Sequence, residues 1–225
     1  MDNRLADLRY GNLDYPYKQW ESEPVKLFRK GWQEIELPPP PANDSKTTRA
    51  EVGTIEYLLA EVYPDKREEI TRQDHQEFQP IDYEYPGTIE LEFINLLAAE
   101  GMKLPEEEQL RIARIASDLT VIGLFFKKQY DRPRPFQVMN ALGRATTVPP
   151  SETARSPSYP STHALIGTFL ADYLAANIRS KGLRDKVLKL GSDLGNNRVI
   201  AGWHFPSDVQ AGVDLASALR PYFKR

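Results

Sequence analysis

The stretch LTVIGLFFKKQYDRPRPF, residues 119–136, decides the fold. Its first eight residues are apolar on every face of a helix, and such a helix is stable in water only when other helices surround it. Lys127 and Lys128 follow, in the last turn, where positive charge suits the helix dipole. Pro133 and Pro135 forbid continuation, so the helix ends near Gln129. Upstream, Pro105 and the run Glu106, Glu107, Glu108 make a favourable first turn.

The pattern around this helix repeats the message. Ser45 to Val62 places apolar residues at Val52, Ile55, Leu58, Leu59 and Val62, a helical period. Residues 64–87 are polar and broken by Pro80 and Pro86, and no element is expected there. Thr88 opens a short helix closed by Gly101. The connection 131–160 exceeds the usual loop length, which points to function. Helices are expected from Thr162 to Ser180, closed by Gly182, from Leu183 to Gly202, and from Pro206 to Leu219. Gly191 and Gly195 imply close packing against neighbours. No strand and no internal repeat is evident, so the fold class is all-α, a helical bundle. Residues 1–45, with PPPPA at 38–42, read as an extended proline-containing arm wrapped over the body or over a partner subunit. Residues 46–225 read as a single helical domain with its core at 105–220, and a homodimer is a candidate assembly.

Composition narrows the function. Among 225 residues there is no cysteine, which excludes a disulfide framework and a thiolate metal site. No apolar run reaches membrane-spanning length. The first residues lack a basic start followed by an apolar stretch, so the expectation is a soluble, cytoplasmic protein, or a periplasmic or secreted one if a leader has been removed. The net charge of −3 hides an asymmetry. Residues 1–100 carry 21 acidic and 11 basic side chains, and residues 101–225 carry 11 acidic and 18 basic. The basic residues form no dense patch, so a small anion is expected as partner and nucleic acid is not.

Three short clusters carry ionisable groups, each at a helix boundary. In KKQYDRPRPF, Lys127 sits at a helix end and Arg134 on a backbone stiffened by prolines. In SYPSTHAL, Ser161 is a natural N-cap, with Thr162 and His163 in a first turn whose free N–H groups favour an anion. In NRVIAGWHFPSD, Pro206 starts a helix and Asp208 falls in its first turn. There Asp208 either caps the backbone or accepts a hydrogen bond from His204, which fixes the tautomer and frees the other ring nitrogen for attack. Together the clusters offer three cations (Lys127, Arg134, Arg198), a helix N-terminus and two histidines. A phosphoryl group in transfer needs positive charge on its oxygens, an in-line nucleophile and a proton for the leaving group. His75 reads as a surface histidine, Trp203 as packing, and Tyr130 and Tyr159 as rim candidates.

These clusters resemble the superfamily of type 2 phosphatidic acid phosphatases, bacterial class A non-specific acid phosphatases and vanadium haloperoxidases. Its pattern is Lys, six residues, Arg-Pro; then Pro-Ser-Gly-His; then Ser-Arg, five residues, His, three residues, Asp. Here Lys127 precedes Arg134-Pro135, Pro160 to His163 read PSTH, and Asn197-Arg198 precedes His204 and Asp208. Thr162 stands for the usual glycine and Asn197 for the usual serine. The resemblance is strongest to the soluble acid phosphatases and implies their helical fold. It implies His204 as nucleophile forming a phosphohistidine, Asp208 as its orienter, and His163 as acid and then base. It further implies Lys127, Arg134, Arg198, the Ser161 hydroxyl and the Thr162 N–H as phosphate ligands. The expected function is metal-independent hydrolysis of small soluble phosphomonoesters, without a cofactor. The alternatives are a vanadium haloperoxidase, with vanadate on His204 in the same pocket, an integral lipid phosphate phosphatase, and a non-catalytic phosphate-binding protein.

Overall fold

A computed structural model describes residues 5–11, 25–74 and 88–224; His75 lies outside them. The described residues are built from helices α1 (Lys46–Glu61), α2 (Tyr63–Asp74), α3 (Thr88–Ala99), α4 (Glu106–Tyr130), α5 (Pro135–Ala141), α6 (Thr162–Ala175), α7 (Lys181–Ile200) and α8 (Pro206–Leu219). Short 3-10 turns occur at Trp32–Glu34 and Arg220–Tyr222. Among the described residues there is no strand, only an isolated bridge between Phe28 and Phe223. The fold is all-α, and no helix among the described residues is long and apolar enough to cross a membrane.

α6 is the central helix, packed on α7, α8 and α4. It is apolar enough for that place: Leu165, Ile166, Phe169, Leu170 and Leu174 are all buried. α4 supplies a long stripe from Ile112 through Ile115, Leu119 and Ile122 to Phe126, all buried at three- and four-residue spacing. Its encirclement is nearly complete, with Phe125 as an exposed exception whose ring meets Trp32 edge-on at 5.2 Å. Close approach of α6 and α7 depends on small residues. A Cβ on Gly191 would lie 2.5 Å from both Ala171 Cβ and the Gly167 carbonyl oxygen.

The N-terminal segment 25–45 is tied to the bundle at several points. The Lys26 and Leu27 N–H groups donate to Asp118 Oδ2, and Phe28, Trp32 and Leu37 are buried. Tyr130 and Tyr159 donate their hydroxyls to the carbonyls of Leu37 and Pro38. Their rings stack edge-on at 4.9 Å and Tyr159 is buried, so these tyrosines anchor the segment.

Four boundaries differ from the sequence reading. The polar stretch after residue 62 contains α2, whose inward face is largely polar: Gln73 and Asp74 are buried there beside Ile70, the one buried apolar side chain. The connection 131–160 contains α5, started by Pro135, with Gln137 Oε1 accepting from the Arg134 N–H at 2.8 Å. α6 stops at Ala175 and α7 begins at Lys181, because Ser180 Oγ caps the Leu183 N–H and draws Gly182 into the first turn. α7 ends at Ile200, just short of Gly202, whose φ of 71° turns the chain back toward α8.

The α6–α7 contact makes a stability prediction. Gly191→Ala forces apart two helices that meet at backbone distance, at a cost of about 1–3 kcal/mol. Urea denaturation of the variant should show a lower midpoint with an unchanged slope.

Candidate active site

The three clusters meet at one place. Lys127 comes from the last turn of α4, Arg134 from the α4–α5 corner, and Thr162 and His163 from the first turn of α6. Arg198 comes from the last turn of α7 and His204 from the α7–α8 corner. These six side chains share the wall of a cavity of about 50 Å³, with Thr153 and Ser156 of the long connection on another side. Lys127, Arg134, Arg198 and His204 are each at most 2 % exposed.

Local chain geometry aims these groups. Gly202 closes α7 with its N–H on the Val199 carbonyl, and the N–H groups of Trp203 and His204 both return to the Arg198 carbonyl. That tight corner places His204 opposite the start of α8. Both sequence readings of Asp208 hold there. Its Oδ2 accepts from the Phe205 N–H at 2.8 Å, capping α8, and faces His204 Nδ1 at 3.3 Å. Ser158 Oγ also donates to Oδ2, and Arg132 Nη1 donates to Oδ1 at 2.6 Å.

The tautomer of His204 follows from its other partner. Arg134 Nη1 lies 3.0 Å from Nε2. A guanidinium has no acceptor, so Nε2 must carry the lone pair and Nδ1 the proton. That is the tautomer a nucleophile needs.

The cations are solvated by backbone. Lys127 Nζ donates to the Pro157 and Ser158 carbonyls at 2.6 and 3.2 Å. Arg134 donates to the Ser156 carbonyl through Nε and to the Trp203 carbonyl through Nη1. Arg198 Nη2 pairs with Asp74 Oδ1 at 2.8 Å and meets Thr153 Oγ1 at 2.6 Å, while its guanidinium stacks 4.1 Å over the Trp203 ring. Trp203 is thus packing for a cation, with its indole N–H on the Pro149 carbonyl.

Burial sets the protonation states. It pushes the Lys127 ammonium well below its ordinary value, and the charges of Arg134 and Arg198 push the same way. Both imidazoles are held well below the usual histidine range, first by burial, then by Arg198 at His163 and by Arg134 at His204. Asp74 and Asp208 oppose this at His163 and His204 respectively. Burial, the largest influence, would raise both carboxyls, yet Arg198 with the Thr153 and Ser151 hydroxyls at Asp74, and Arg132 with His204 and Ser158 at Asp208, together hold each below the usual carboxylate range.

Not every expected ligand reaches the cavity. Ser161 is fully buried and caps α6, its Oγ accepting from the Ala164 N–H at 3.3 Å and its own N–H donating to the Asp208 carbonyl. Asn197 turns toward α2, where its Nδ2 donates to Glu69 and Gln73, both at 2.8 Å. Sequence reasoning passed over three groups. Arg132 anchors Asp208, Glu51 of α1 braces Arg132 at 3.3 Å, and Asp74 of α2 holds Arg198. Asp74 also accepts from Ser151 Oγ, the Glu152 N–H and Thr153 Oγ1, so it ties the long connection to the site. Arg132 stands inside the quoted DRPRP run, but nothing local distinguishes it from a loop arginine; Asp74 sits in a stretch with no pattern at all.

Helix ends of one bundle thus gather buried cations and two histidines around one small cavity. The chain matches the sequence profile of the PAP2 superfamily over residues 112–222. It is 29 % identical over 209 residues to a non-specific acid phosphatase of Providencia stuartii, covering 87 % of this chain and 77 % of that protein. A non-specific acid phosphatase of Salmonella typhimurium is 31 % identical over 119 residues, covering 50 % of this chain and 46 % of its own length. The structure of a bacterial vanadium-dependent iodoperoxidase superposes with a TM-score of 0.60 at 14 % identity, over 93 % of this chain and 64 % of that one, which shows a shared fold.

Two predictions follow from the burial. Arg132→Met leaves the Asp208 carboxylate buried without its main counter-charge, a loss of about 3–5 kcal/mol that chemical denaturation should register. For the imidazoles, the unfolded chain takes up protons as pH falls through about 6.5, while the folded rings stay neutral until lower pH. The unfolded state then binds more protons, so stability is fully present above that pH and declines below it. His163→Gln and His204→Gln should each flatten the fall of melting temperature in that window.

Proposed function

We propose that this chain is a phosphatase of the acid-phosphatase type, which hydrolyses small soluble phosphomonoesters through a phosphohistidine on His204, without a metal ion. The observation that carries the reading is the single cavity walled by Lys127, Arg134, Thr162, His163, Arg198 and His204. Acid-phosphatase relatives favour hydrolysis over halide oxidation, since the likeness to the iodoperoxidase extends only to fold.

The chemistry runs as follows. The phosphoryl oxygens take the positive charge of Lys127, Arg134 and Arg198 and the N–H groups at the start of α6. Arg134 Nη1 passes from His204 Nε2 to a phosphate oxygen, which frees the lone pair. Nε2 attacks phosphorus as the P–O bond to the alcohol breaks. The positive charge that grows on the ring is balanced by Asp208 through Nδ1–H. His163, which rests neutral, takes up a proton from solvent as the substrate binds, and the resulting imidazolium gives that proton to the departing alkoxide. A bound dianion offsets the surrounding cations, which raises the affinity of His163 for that proton. Neutral His163 then removes a proton from water, whose oxygen attacks the phosphohistidine, and inorganic phosphate leaves.

Because His204 stays neutral below the usual histidine range, its lone pair persists in mildly acidic solution. Release of p-nitrophenol from p-nitrophenyl phosphate should therefore continue at pH values where a free imidazole is largely protonated. His204→Ala should reduce it to background, and rapid acid-free quenching of wild type should trap a base-stable phosphoenzyme that the variant lacks. Orthovanadate, held by the same groups with Nε2 toward vanadium, should inhibit. Equal inertness of wild type and variant, or halide oxidation that appears with vanadate and peroxide, would overturn the proposal.

A further inference from the structure

Thr162 occupies the position where the superfamily pattern has glycine, and its surroundings give that departure a purpose. The residue opens α6 and lines the cavity beside His163. Its Oγ1 is buried and meets no hydrogen-bond partner. The side chain is lodged against Gly123 of α4. A Cβ on Gly123 would lie 2.9 Å from Thr162 Oγ1 and 3.3 Å from its Cγ2. Gly123 is one helical turn ahead of Lys127, so the notch and the cation share one face of α4.

Each half of this pair is unfavourable alone. Glycine inside a helix costs about 1 kcal/mol relative to alanine. A buried hydroxyl without a partner costs about 1–3 kcal/mol. Together they make sense: α4 gives up a side chain, and the space admits a threonine at the mouth of an anion-binding helix. Shape alone would be served by valine, which has the same branching and no polar atom to satisfy. A hydroxyl at that point gains a partner when something entering the cavity accepts its proton. The cationic side chains of the same wall, Lys127, Arg134 and Arg198, are donors, as an acceptor-rich oxyanion requires.

We infer that the Thr162 hydroxyl, seated in the Gly123 notch, donates a hydrogen bond to an oxygen of the bound phosphoryl group. This contact is unavailable to a protein with glycine at position 162. The inference rests on the proposed function only in taking the cavity as a phosphate site.

Titration calorimetry with inorganic phosphate tests it without turnover. Thr162→Val keeps the shape and removes the donor, and should weaken phosphate binding roughly tenfold or more. Thr162→Ser should retain most of the affinity. Gly123→Ala should weaken binding in the wild-type background, by displacing the hydroxyl, and leave it unchanged in a Thr162→Gly background. Melting curves without phosphate check that each variant is folded. Wild-type affinity in a folded Thr162→Val protein overturns the inference and leaves the phosphatase reading intact. Failure of the wild type to bind either phosphate or orthovanadate sinks both.

Discussion

Buried positive charge is the constraint around which this molecule is arranged. Lys127, Arg134 and Arg198 stand on one small cavity, each nearly sealed from water. Like charges in a medium of low polarisability repel strongly, and each also loses its hydration. The structure answers with backbone oxygens: those of Pro157 and Ser158 on the lysine, those of Ser156 and Trp203 on Arg134. These acceptors belong to the long connection and to the α7–α8 corner. Both segments are irregular because their carbonyls must face inward, which a helix or sheet would prevent.

Carboxylates complete the balance from outside the cavity wall. Asp208 and Asp74 each pair with an arginine, and among the described residues neither reaches the cavity. The cavity face therefore remains positive while the protein around it is compensated, an arrangement that favours an anionic ligand. Asp208 joins three parts of the site at once, since one carboxylate caps α8, holds Arg132 and faces His204 Nδ1. A change at this residue removes all three contacts together. Asp74 is the counterpart on the other side, joining α2, the segment 151–153 and Arg198.

Legibility in the sequence tracked the kind of force at work. α1, α3, α4 and α8 were visible because a buried apolar face leaves a period, and because caps such as Ser45 and Pro206 mark ends chemically. α2 was not visible, because it docks through polar contacts to Asn197 and Arg198 and buries one apolar side chain, Ile70. α5 is too short for a period and lies between prolines and a glycine. At the site, spacing within each cluster was readable because every cluster is a short continuous stretch at helix ends. Arg132, Asp74 and Glu51 were unreadable because their partners are 76, 124 and 81 positions away.

By itself, then, the amino-acid order determined the all-α class, the helix ends that carry Lys127, Thr162, His163, Arg198 and His204, and the family resemblance, since these depend on neighbours within a turn or two. Only the tertiary structure decided which ring nitrogen of His204 holds the lone pair, which carboxylate answers which arginine, and that Gly123 makes room for Thr162. Those outcomes are set by contacts between helices far apart in the chain, where burial removes water and the nearest charge or carbonyl takes its place.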